Sequence, residues 1–124
     1  MDKTQTKDLL NFILESIRLI KNRFKYINNS DDFITSDEGI EKLDSISMRL
    51  QAIGEALKQI DKRDKDFLEK VEDRFYWSKI IKTRDLLSHH YIEIDADIIY
   101  QICKYKLDEL EDNVNKLLFL ISKD

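Results

Sequence analysis

Both histidines of the chain stand side by side in the segment Arg84-Asp85-Leu86-Leu87-Ser88-His89-His90-Tyr91. Histidine titrates near neutrality and can act as a general base or a general acid. Arginine presents a planar fork of donors that matches a phosphate and can stabilise charge building on it. These are the two group types that metal-independent RNA cleavage needs, in which a 2′-hydroxyl attacks its neighbouring phosphate. Lys79 and Lys82 precede the segment, so 79–91 holds three basic residues against the single acid Asp85. In a chain of net charge -4 this is a local positive spot.

The same residues admit a purely structural role. An arginine and two histidines in the last turns of a helix can bind its free carbonyls and favour the negative end of its dipole. Spacing constrains the catalytic alternative. Arg84 and His89 are five residues apart and would point ~140° from each other on one regular helix. A joint site therefore requires the helix to end near His89, or a second subunit to supply the missing group. A metal site from His89, His90 and a carboxylate is a poor fit, because adjacent helical histidines diverge by ~100° and no paired zinc-type spacing is present. No metal or other cofactor is expected. Glycine-rich phosphate loops and the Gly-x-Ser-x-Gly elbow are also missing from the sequence.

The elements that must position this segment are legible from periodicity. Leu10, Ile13, Ile17, Ile20, Phe24 and Ile27 recur at three- and four-residue steps and predict a helix from about Lys7 to Asn28. A second helix is expected from Thr35, with Thr35 and Glu38 as a capping box and Asp37 at the positive dipole end. Its stripe runs from Ile40 to Ile60. Gly54 interrupts good helix formers there at ~1 kcal/mol against alanine, which predicts close approach of another backbone. Asp61 to Arg74 reads as a short helix anchored by Phe67, Leu68 and Val71. A fourth helix is expected from Trp77 to His90, with Trp77, Ile80, Ile81, Leu86 and Leu87 in the core. Tyr91 to Asp95 reads as a linker, and a last helix capped by Asp95 or Asp97 carries the stripe Ile99 to Ile121.

The chain's 124 residues suit one domain over 1–124, built as an all-α up-and-down bundle of four long helices and one short one. Hydrophobic residues at 42% exclude a disordered chain, and the absence of proline with only two glycines excludes a turn-rich sheet protein. One cysteine, Cys103, excludes a disulfide framework and reads as a small core residue. No apolar run approaches ~18 residues and no signal peptide is visible, so no membrane association and a cytoplasmic location are expected. The apolar stripes and the Tyr76-Trp77 pair exceed what one thin bundle is expected to bury, which predicts a homodimer.

The pattern Arg84-x4-His89-x-Tyr91 resembles the R-x4-H-x-Y motif of HEPN-domain proteins, specifically the HepT-like branch. The context is similar as well. Asp32-Phe33-Ile34 resembles that branch's lead-in to the second helix, and Ile53-Gly54-Glu55-Ala56 its Ile-Gly-Glu-Ala signature. Trp77 precedes Arg84 by seven residues, as a tryptophan commonly does in the family, and Tyr91-Ile92-Glu93-Ile94-Asp95 resembles its exit into the final helix. Two positions depart from the pattern. Asp85 replaces a frequent Asn and places an acid beside Arg84, and His90 replaces a frequent Asp next to His89.

The resemblance implies a homodimeric helical bundle whose two motifs meet in an interface cleft, acting as a metal-independent endoribonuclease toxin on tRNA or mRNA. It further implies a type VII-like toxin-antitoxin pairing with an MntA-like minimal nucleotidyltransferase that transfers AMP from ATP to the motif tyrosine. By position, Arg84 would stabilise the scissile phosphate, His89 would be the acid/base, and Tyr91 would be the AMPylated switch. Asp85, Ser88 and His90 would support them. The competing expectation is a non-catalytic helical dimer that serves as binding partner or substrate of a nucleotidyltransferase.

Overall fold

Apolar residues at helical spacing dictate every long element of the chain. The computed structural model describes residues 3–87 and 92–123, without the side chains of residues 84 and 92–94. All described regular structure is helical: α1 (Lys3–Phe24), α2 (Asp37–Arg63), α3 (Arg74–Leu87), α4 (Ile92–Tyr105) and α5 (Leu107–Lys123). Short 3-10 turns at Ser30–Phe33 and Leu68–Lys70 join α1 to α2 and α2 to α3.

The stripes bury as their periods require. Leu10, Ile13, Ile17 and Ile20 of α1 are fully buried, and so are Ile46, Leu57 and Ile60 of α2. α2 is the central element, with α1 packed along one side and α3 along the other. α5 lies against α1, and α4 reaches the first 3-10 turn, α2 and α5. Lys21 of α1 ties this layer to α5 through Asp108 and, at 2.9 Å, Glu111.

The cap of α2 falls one residue later than the sequence pattern suggests. Ser36, not Thr35, is the N-cap, and its hydroxyl accepts from the Gly39 N–H at 3.0 Å. The Thr35 N–H is spent on the Asp31 carbonyl at 3.1 Å, which prolongs the preceding turn and delays the helix. Asp37 and Glu38 still occupy the first turn, where the dipole favours negative charge. Gly39 is needed because the 3-10 turn lies directly over it. A Cβ there would overlap the Asp32 carbonyl oxygen.

Three further expectations are corrected. The 61–74 stretch is not a helix of its own. Its first residues complete α2, Asp64 breaks the helix in an extended conformation (φ -148°, ψ 96°), and one 3-10 turn follows before α3. Phe67 and Leu68 are nevertheless buried anchors, as expected. The segment after residue 91 is helix rather than linker, because Ile92, Ala96, Ile99 and Cys103 also fit a helical repeat. Asp95 and Asp97 therefore lie inside α4 instead of capping it. Finally, the last helix is broken at Lys106. The apolar stripe runs through the break undisturbed, and no proline or glycine marks it. Among the described residues the result is five helices of 14 to 27 residues rather than four long and one short.

Candidate functional site

The helices that flank the motif-bearing segment are fixed by ordinary packing forces. On its N-terminal side stands α3. The Asp73 carboxylate caps this helix by accepting from the Tyr76 N–H at 2.8 Å. Trp77, only 2% exposed, donates its indole N–H to the carbonyls of Leu68 (2.8 Å) and Glu72 (3.1 Å). The indole thus clamps the connection from α2 to the start of α3. Tyr76 meets it edge-on at 4.9 Å between ring centroids, and burial pushes the Tyr76 phenol up to about 12.

One turn further on, α3 crosses α2 at Gly54. A Cβ on this residue would stand 3.3 Å from the Ile81 carbonyl oxygen and 3.5 Å from that of Ile80. This is the close backbone approach that an isolated glycine at this position predicts. Arg84 follows on the same helix, three residues past Ile81.

On the C-terminal side, α4 is seated by Ala96 and Ile99, both buried. Its Tyr100 hydroxyl donates to the Asn28 carbonyl at 2.9 Å, and the ring lies 5.4 Å from that of Phe24. Phe24 in turn packs against the buried Phe33 of the Asp32-Phe33-Ile34 segment. That segment therefore supports the far anchor of the motif.

α3 is described through Leu87 and α4 from Ile92. Ser88, His89, His90 and Tyr91, together with the side chain of Arg84, lie outside the described residues. Asp85 is described and exposed. Leu87 is buried as expected, whereas Leu86 is 49% exposed and does not belong to the core of one chain. Successive helical residues diverge by ~100°, so two adjacent leucines cannot share one buried face.

Leu86 and Asp85 instead line a groove of about 810 Å³. Leu50 and Ile53 of α2 form its floor, Tyr76 and Ile80 of α3 one wall, and Ile102 and Leu110 of α4 and α5 the other. Lys79, Lys82 and Lys106 stand at its rim with Asp85 and Glu109. α3 finds its main partners in α2 and the Leu68–Lys70 turn, which leaves the groove uncovered. Sequence periodicity does not reveal the groove. The signal that could have found it is the breadth of the apolar face of α3, where Tyr76, Ile80, Leu86 and Leu87 span more than one buried stripe.

The remaining candidate chemistry is inert by its surroundings. Cys103 is buried, and desolvation pushes its thiol up to about 12, which suits a core residue and not a nucleophile. Among the described residues no His, Cys, Asp and Glu group has the makings of a metal site. No described helix is long and apolar enough to cross a membrane.

Comparison with known proteins places these features in a wider set. The HepT-like ribonuclease family matches the chain over residues 13–117, from the middle of α1 to the last turns of α5. A protein of Methanocaldococcus jannaschii, named as a gamma-glutamylcyclotransferase and candidate RNase, is 30% identical over 122 residues, which is 98% of this chain. The chain spans 51% of the length of that relative. A second protein of the same organism, named as a candidate RNase, is 30% identical over 98 residues, 77% of this chain and 75% of its own length. No solved structure matches the chain.

The crossing at Gly54 makes a direct prediction. Gly54→Val adds two branches where even one Cβ is tight, so α3 must shift away from α2. Unfolding in urea is expected to show a loss of about 1–3 kcal/mol, the usual cost of overpacking. The shift also moves the backbone that carries residue 84. Any activity that depends on it is expected to fall by more than the unfolded fraction explains.

Proposed function

The chain belongs to the HepT-like ribonuclease family, and from that premise we propose that it is a metal-independent endoribonuclease whose active site is completed by a second copy. Arg84 binds the scissile phosphate and stabilises the charge that builds on it. His89 takes the proton of the 2′-hydroxyl as its oxygen attacks phosphorus and the bond to the 5′-oxygen breaks. A histidine in its protonated form, supplied by either copy, returns a proton to that leaving oxygen. The observation that carries this reading is the family match across 13–117, which includes every motif position from Arg84 to Tyr91.

The groove beside α3 supports the dimeric part. An uncovered apolar groove costs about 2.5 kcal/mol for each 100 Å² left wet, and a second copy removes that cost. A symmetric partner docked there brings two copies of the α3 end together, which answers the ~140° divergence between Arg84 and His89 within one helix. The toxin role, the tRNA or mRNA substrate, and silencing of Tyr91 by AMP from a minimal nucleotidyltransferase complete the proposal. An AMP phosphodiester adds negative charge and bulk, which repels substrate phosphate.

A second reading follows from Asp85 and His90, where an acid sits beside the motif arginine and the usual acid beside His89 is absent. In it the chain is a helical dimer that binds, and is modified by, a nucleotidyltransferase without cleaving RNA.

Cleavage of tRNA and mRNA by the purified chain, beside Arg84→Ala and His89→Ala, tests the first reading. The histidine variant is expected to lose about 10²–10⁴-fold in rate and the arginine variant about 10²–10³-fold. Equal cleavage by all three, or none by any, would leave only the second reading. Leu86→Glu places a charge in the groove at a half-exposed site. It should keep its helical content, halve the mass seen by light scattering, and abolish cleavage. A monomeric wild-type chain at micromolar concentration overturns the composite site. Mass spectrometry after incubation with nucleotidyltransferase and ATP is expected to place AMP on Tyr91. AMP on another residue with Tyr91 unmodified refutes the switch.

A further inference from the structure

A second concavity opens between α2 and α3, with a volume of about 290 Å³. Leu68, Trp77 and Ile81 are its apolar lining, and Lys58 from α2 and Lys82 from α3 both reach it. At the end nearer the start of α3 stands Arg74, whose fork is already committed. Its Nε donates to Glu69 at 2.7 Å, one Nη to Asp61 at 3.3 Å and the other to the Lys65 carbonyl at 2.9 Å. Asp61 and Glu69 are thereby held on Arg74, and the cationic groups left facing the cleft are the two lysines. Both line the cleft from two helices, beside the low-dielectric wall of Trp77 and Ile81, which focuses a positive field on whatever enters.

The rest of the chain shows why this location matters. α3 carries Arg74, Lys79, Lys82 and Arg84 against one acid, Asp85, in a chain of net charge -4. α4 and α5 carry more acids than bases, so the described helices with a basic excess are α3, which bears the motif, and α1. Lys82 lies two residues before Arg84, ~3 Å along the helix axis. The two positions are also ~160° apart around that axis, with the cleft-lining Trp77, Ser78 and Ile81 in the arc between them, so a strand whose scissile phosphate is held by Arg84 has a neighbouring phosphate over the cleft.

We propose that the cleft between α2 and α3 is a phosphate subsite, in which Lys58 and Lys82 hold a backbone phosphate of the RNA next to the one that is cleaved. This deepens the ribonuclease reading and rests on it. The two lysines are positioning residues that hold the strand in register and do not touch the reacting atoms. They meet charge and not base edges, so the subsite carries no sequence preference.

The test compares the wild-type chain with the double variant Lys58→Gln/Lys82→Gln and the conservative Lys58→Arg/Lys82→Arg. In cleavage assays the glutamine pair is expected to raise KM about tenfold with a much smaller change in kcat, and the arginine pair to restore KM. Binding is measured separately in a His89→Ala background, using a fluorescent single-stranded RNA oligonucleotide over a range of salt. The glutamine pair should weaken affinity about tenfold and make the log–log salt slope shallower by about 0.7 for each phosphate no longer neutralised. AMP is titrated as a competing source of phosphate, and is expected to bind far more weakly than the oligonucleotide. Unchanged KM, affinity and salt slope in the glutamine pair overturn the subsite even if the wild type cleaves RNA. Lysine-dependent binding of AMP with oligonucleotide binding unaffected overturns it too. A wild-type chain that fails to cleave sinks the ribonuclease reading instead, and the binding arm still reads the cleft.

Discussion

The packing of α3 onto α2 at Gly54 is the constraint from which the rest of the molecule follows. α3 has one main neighbouring helix, so its position depends on how near its backbone can come to α2. With hydrogen in place of a side chain at residue 54, the Ile80 and Ile81 carbonyls settle where any Cβ would crowd them. Trp77 fixes the other end of the same interface by binding two carbonyls of the preceding connection. These two points orient the helix axis as far as Leu87, the last described residue before the motif histidines. Both lie within the Ile-Gly-Glu-Ala and tryptophan features of the sequence. Their role is geometric: they hold a short helix against a long one.

Much of this is legible in the sequence because burial follows period. The stripes of α1 and α2 bury residue by residue as the three- and four-residue steps require. An isolated glycine among strong helix formers weakens its helix, and a close backbone crossing is what makes that cost worth bearing. Sequence and structure part where two patterns overlap. Ile92 and Ile94 alternate like a strand, yet Ile92, Ala96, Ile99 and Cys103 repeat like a helix, and the helical pattern prevails because no described strand is there to pair with. The break at Lys106 leaves no trace in composition, since the apolar stripe continues across it. Thr35 and Ser36 are equally good caps by chemistry. The choice between them is made by the Asp31 carbonyl, a tertiary detail that no local rule contains. Leu86 reads as a core residue because it is apolar, but its neighbour Leu87 already occupies the buried direction.

Of the candidate site, residue types and spacing come from the sequence, and the supports on either side come from the structure. The indole clamp, the glycine crossing and the Tyr100–Asn28 bond show why residues remote from the motif accompany it. Net charge is the least informative quantity. A total of -4 hides a basic α3 lying across a groove from acidic helices, and it is the local field that an anionic ligand meets.

The open groove and the basic helix are linked by a single physical requirement. An element that carries an arginine and leads into two histidines cannot be packed on all sides by one chain's apolar core without desolvating those groups, and burying an unpaired charge costs several kcal/mol. Attachment of α3 to one neighbour leaves its other faces near water, with Asp85 and Leu86 exposed close to its end. The consequence is an apolar wall, from Ile80 to Leu86, that one chain does not cover. In the proposed dimer a second copy would cover that wall and bury its apolar surface, with the end of each α3 at the seam. On the proposed reading, the same one-sided attachment that exposes hydrophobic surface would also keep the chemistry accessible.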